Sequence, residues 1–104
     1  MTYRVRVHPR VRDDLDAIAL WIIEFAGPEA ADRRLFEIEA VIAGLAGFPH
    51  RGSRRDEVAQ GLRAIPAGRR AVVAFTVDDE RREVLVLAVT YAGADWTARV
   101  RERA

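Results

Sequence analysis

The chain has 104 residues, 50% hydrophobic and 32% charged, a composition that excludes disorder and a length that supports one self-sufficient core over residues 1–104. It has no cysteine, which excludes disulfides and thiolate metal sites, and none of its apolar runs approaches the roughly 20 residues of a membrane span. The net charge is +1 and every one of the 17 basic residues is arginine, a usage that base composition explains; less easily explained, residues 51–70 hold six arginines against two acids.

The opening "YRVRV" alternates Tyr3, Val5 and Val7 with Arg4 and Arg6, the period-2 pattern of a half-buried strand, and its charged positions suit a sheet edge. Pro9 then suits a first helical turn. Val11, Leu15, Ile18, Ile22 and Phe25 follow at helical spacing, with Asp13, Asp14 and Asp16 near the N-terminus, where the helix dipole favours negative charge. Gly27 and Pro28 close this helix and open a second, whose stripe is Ala31, Leu35, Ile38, Ile42 and Leu45. Two matched stripes across so short a link predict an antiparallel helical hairpin. Gly47 and Pro49 stop it, and "PHRGSRRDEVAQG" has no period and reads as a loop.

Three strands follow, "LRAI", "AVVAFTV" and "EVLVLAVTY", separated by the turns "PAG" and "DDERRE". The tail "GADWTARVRERA" reads as a short helix or a frayed end. The fold expected is therefore α+β: a small, antiparallel-rich, four-stranded sheet packed on one face by a helical hairpin, in the order strand–helix–helix–strand–strand–strand. Parity assigns Val73, Phe75, Val77, Leu85, Leu87 and Val89 to the hairpin side. Val72, Ala74, Thr76, Val84, Val86, Ala88 and Thr90 fall on the other side, which a single helical layer leaves open to a partner or to the tail.

The run from "FP" at 48–49 through "RDE" at 55–57, "GLR" at 61–63 and the final "VLVLAV" strand resembles the RelE/ParE toxin superfamily of bacterial type II toxin–antitoxin systems, over roughly residues 3 to 96. The resemblance implies a small cytoplasmic toxin neutralised by a cognate antitoxin in a hetero-oligomer. RelE-like members cut mRNA on the ribosome, and ParE-like members act on DNA gyrase. Here Tyr91 stands where many members have His, Ala94 where they have Arg, and Val72 where RelE-like members commonly place Arg. These departures favour the ParE-like reading. A ribonuclease with an altered site and a non-toxic antitoxin-binding module are the alternatives.

Metal-free RNA cleavage needs a base, an acid and a cation. Arg63, Arg69 or Arg70 could supply the cation, but no residue stands out as the base. His8 opens a helix, His50 reads as a solvated loop residue, Tyr91 by parity as a core tyrosine, and Asp78, Asp79 and Glu80 as a solvated turn. No spacing matches a metal or a cofactor site. If the chain is a ribonuclease, Arg63, Arg69 and Tyr91 are the catalytic candidates. If it is a binder, Arg51, Arg54, Arg55, Arg63, Arg69 and Arg70 form a basic rim around a docking face of Val72, Ala74, Val84, Val86 and Ala88. An acidic antitoxin segment would suit that surface.

Overall fold

A computed structural model describes residues 2–104. Its elements are β1 (Arg4–Val7), α1 (Val11–Ala26), α2 (Pro28–Gly44), β2 (Ser53–Arg54), β3 (Leu62–Ala67), β4 (Ala71–Asp78), β5 (Glu83–Tyr91) and α3 (Trp96–Arg103). The expected α+β order is present with one more strand than predicted. The sheet runs β1-β5-β4-β3-β2, with β1 parallel to β5 and the remaining pairs antiparallel. The additional strand pairs Ser53 with Ala64 and Arg54 with Arg63. Two residues carry no readable period, so pairing alone defines them. Gly52 makes the approach possible: its φ is +78°, and a Cβ there would collide with the backbone carbonyl of Ala64.

The helical hairpin forms as its stripes predict. Gly27, at φ 88°, donates its N–H to the Ile23 carbonyl and ends α1, and Pro28 opens α2. Val11, Ile18, Ile22, Ala31, Ile38 and Leu45 are buried against the sheet, with Leu15, Leu35 and Ile42 partly buried. Phe25 keeps the phase of the stripe but is exposed, lying on Trp21 instead of the core. Among the described residues no helix is long and apolar enough to cross a membrane.

The face assignment fails in β5, for a reason that strict parity cannot contain. Ala74 pairs with Ala88, but the next residue, Phe75, pairs with Val86, so Leu87 has no opposite number. This β-bulge inverts the alternation. Val84 and Val86 therefore join Val73, Phe75 and Val89 under the helical hairpin, while Leu87 packs on the opposite face with Ala74 and Ala88. Leu85, before the bulge, also leaves the hairpin side and is partly exposed.

The opposite face is not open either. The tail forms α3, started by Asp95, whose carboxylate accepts from the backbone N–H groups of Thr97 and Ala98. Val100 of α3 is fully buried against Leu62, Ala74, Leu87 and Ala88, with Trp96, Val58 and Ala59 at the margin. The expected docking face is thus corrected: Val84 and Val86 belong to the main core, Ala74 and Ala88 lie beneath α3, and only Val72 remains half-buried.

The bulge is also where the tail is fastened. Asp14, 5% exposed, accepts the Val89 N–H at 3.0 Å and both terminal nitrogens of Arg103, at 2.6 and 2.8 Å. Arg103 donates in addition to the Leu87 carbonyl at 3.0 Å, and Arg99 approaches Asp14 at 3.5 Å. The two backbone groups that flank the irregularity are thereby satisfied by one ion pair reaching from α1 and α3. The carboxylate holds the Arg103 guanidinium above its ordinary pKa.

Candidate partner-binding site

The six arginines expected to form one rim fall into two groups at opposite ends of β3. Arg63 sits across from Arg54 and donates to the carbonyls of His50 at 3.1 Å and Arg51 at 3.4 Å, so it supports the preceding loop. Arg54 pairs with Asp56 at 3.4 Å, and Arg55 pairs with Glu57 at 3.2 Å while lying over the Trp96 ring. These two are largely neutralised within their own segment. Arg51 makes no ion pair with a described residue.

Arg69 and Arg70 occupy the turn between β3 and β4, exposed and without a carboxylate among the described residues. The register places Ala71 opposite Tyr91 and Arg63 opposite Phe75. Arg63 is therefore four residues along β3 from the end of the strand that carries this turn, about 13 Å away at strand rise. The ribonuclease candidates Arg63, Arg69 and Tyr91 are not brought to one point.

A cleft of about 550 Å³ lies between Arg69, Arg70, Val72 and the Ala92–Gly93 loop. A second, of about 410 Å³, shares Ala92 and Gly93 and continues past Tyr91, Trp21 and Arg99 to Asp14. Ala92 and Gly93 both adopt positive φ, at 57° and 81°, and the Ala92 N–H donates to the Arg70 carbonyl at 3.1 Å. That bond ties the loop after β5 to the arginine turn. Tyr91 does face the hairpin side, as parity requires, but it sits half-buried at the rim with its ring 5.5 Å from Trp21.

At the other end of the sheet stands a cluster that local sequence conceals. The Tyr3 hydroxyl donates to Asp79 at 2.7 Å, and His50 Nε2 lies 2.7 Å from the same carboxylate oxygen. His50 and Asp79 are solvated, as expected, but they are also joined: with Tyr3 they staple β1, the loop after α2 and the β4–β5 turn. The partners are 76 and 29 residues apart, so no spacing rule could join them. Tyr3 and then His50 hold the Asp79 carboxyl below its ordinary value, and Asp79 raises the Tyr3 phenol.

Asp95 is lowered in the same sense, by Thr97 first and by the backbone N–H of Ala98 next. A carboxyl with a depressed folded-state pKa contributes stability above its unfolded value and loses it as pH falls through the folded one. Stability should therefore decline below about pH 3.8, where the unfolded chain binds the extra protons. Urea midpoints measured down the acid limb should fall less steeply in the Asp79→Asn/Asp95→Asn variant than in the wild type. Parallel acid limbs would show that neither carboxylate contributes.

The comparisons with known proteins agree on the fold. The model of a family described as the ParE toxin of the type II toxin–antitoxin system, parDE, matches residues 5–96. A solved structure of the chromosomal ParDE toxin–antitoxin system of P. aeruginosa is similar, with a TM-score of 0.74 and 22% identity, covering 86% of this chain and 96% of that one. The RelBE2 toxin–antitoxin complex of Mycobacterium tuberculosis aligns with a TM-score of 0.57 and 21% identity, over 88% of this chain and 100% of that one. A mutant of the E. coli toxin RelE in the free state gives 0.64 and 14% identity, over 98% and 96%. No curated protein matches the chain significantly.

Proposed function

The chain belongs to the ParE toxin family of type II toxin–antitoxin systems, and from that premise we propose that it inhibits DNA gyrase by binding and is neutralised by a cognate antitoxin. The observation that carries this reading over RNA cleavage is the make-up of the cleft beside Arg69 and Arg70. Cations are present there, but the cleft's remaining walls are Pro66, Ala71, Val72, Ala92 and Gly93, which cannot exchange protons, and the neighbouring group that could is Tyr91 in the adjoining cleft. The one His–Asp pair of the described chain lies at the far end of the sheet, and Arg63 is engaged with loop carbonyls. On this reading the protein acts by surface complementarity, within the cytoplasm, with no cofactor.

Induction in cells lacking the antitoxin tests the proposal: gyrase-dependent DNA breaks and an SOS response are expected, and cleavage of ribosome-bound mRNA would replace gyrase with the ribosome. Harmless overproduction of folded protein would leave only the antitoxin-binding role. Tyr91→Phe sharpens the distinction. A tyrosine acting as acid or base contributes about 10²–10⁴-fold, so its loss would abolish killing. The Tyr91 hydroxyl makes no hydrogen bond with a described residue, and its ring contact with Trp21 survives in phenylalanine. Toxicity of Tyr91→Phe should equal that of the wild type, read as colony counts after induction.

A further inference from the structure

With Val84 and Val86 in the main core and Ala74 and Ala88 beneath α3, the expected docking residues are largely covered, and three rings mark another surface. Tyr91, Trp21 and Phe25 form a ladder, with centroids 5.5 and 4.8 Å apart, from the end of β5 along α1 toward the hairpin tip. Phe25 is 68% exposed and Trp21 40%. Exposed aromatics in a contiguous group mark an interaction surface more than scattered ones do. Beside the ladder the cleft floor is Ala17, Ala92, Gly93 and Ala94, small residues that leave room for incoming side chains. Half-exposed Arg99 lines it too, and Arg69 and Arg70, with no carboxylate partner among the described residues, line the adjoining cleft that shares Ala92 and Gly93.

We propose that this cleft is where the antitoxin docks, receiving a segment with an apolar or aromatic anchor against Trp21 and Phe25 and carboxylates directed to Arg69 and Arg70. The proposal rests on the antitoxin reading above. The exposed rings select a protein segment over a phosphate backbone, because Trp21 and Phe25 offer an apolar anchor site and no charge to pair with a phosphate oxygen, while Arg69 and Arg70 supply the counter-charge for carboxylates on that segment. The anchor sets affinity and the arginines set the encounter rate.

The test is binding of the purified cognate antitoxin to the full chain, at low and at physiological salt, with circular dichroism to verify each fold. Phe25→Ser should weaken the complex about tenfold or more, as an exposed ring at an interface centre does. Arg69→Glu/Arg70→Glu should slow association and flatten its salt dependence. Phe36→Ser, which removes a ring exposed on α2 and in no ring contact among the described residues, should bind as wild type. Tight, salt-dependent binding by folded Phe25→Ser and Arg69→Glu/Arg70→Glu would overturn the site while leaving the antitoxin reading intact. Failure of the wild type to bind would remove that reading and the site with it. Self-association of the free chain, or binding of a single-stranded RNA oligonucleotide, lost in these variants while antitoxin affinity is unchanged, would give the cleft to another occupant and overturn the proposal.

Discussion

Asp14→Ala should cost about 3–5 kcal/mol, the range for removing one partner of a buried ion pair. The carboxylate serves more groups than any other side chain in the described protein: the Val89 N–H, the Arg103 fork and Arg99. Its removal leaves a nearly buried guanidinium without a counter-charge and a buried strand N–H without an acceptor. For a domain whose total stability is about 5–15 kcal/mol, that is a large share. Arg103→Ala should cost less, because Asp14 keeps the Val89 N–H and Arg99 can move closer. Both substitutions together should cost less than the sum of the two, since no unpaired charge is left behind. Denaturant midpoints measure all three. The lesion should also be local: α3 should detach first, so in a Trp21→Phe background, where Trp96 alone reports, fluorescence should shift at lower denaturant than the helical signal. Additive costs, or coincident transitions, would show that the pair does not fasten the tail.

Periodic elements were legible because period reports burial directly. The two helical stripes, the Gly27–Pro28 break and the edge character of β1 follow from local residues, and the structure contains all of them. What local residues cannot reveal is a single extra residue in a ladder. The run "EVLVLAV" is apolar at nearly every position, so nothing in it marks Leu87 as the unpaired one. The same continuity hides which side each valine takes. The Asp14–Arg103 pair was concealed differently: three acids in the first turns of α1 have a sufficient explanation in the helix dipole, and the partner is 89 residues away. The candidate site suffered from both effects. Arginines counted along the sequence looked like one rim, but the length of β3 separates them, and nearby acids occupy two of them.

The bulge has a consequence that one pair of substitutions reads out. Strict alternation puts Leu85 in the core and Val86 on an open surface, so it predicts that Leu85→Asp unfolds the protein and Val86→Asp spares it. The observed register predicts the reverse. Val86 is fully buried beneath the helical hairpin and pairs with Phe75, which is also fully buried, so an aspartate there enters apolar surroundings with no cation in reach. A loss of more than about 4 kcal/mol is expected, enough to unfold a domain of ordinary stability. Leu85 is 37% exposed and pairs with Arg6 on β1 and Thr76 on β4. An aspartate there stays hydrated, and the neighbouring guanidinium offsets part of the lost packing, so its cost should stay near 1 kcal/mol. Circular dichroism at ambient temperature separates the two outcomes without any partner. A folded Val86→Asp beside an unfolded Leu85→Asp would place the register shift elsewhere and return Val84 and Val86 to the surface.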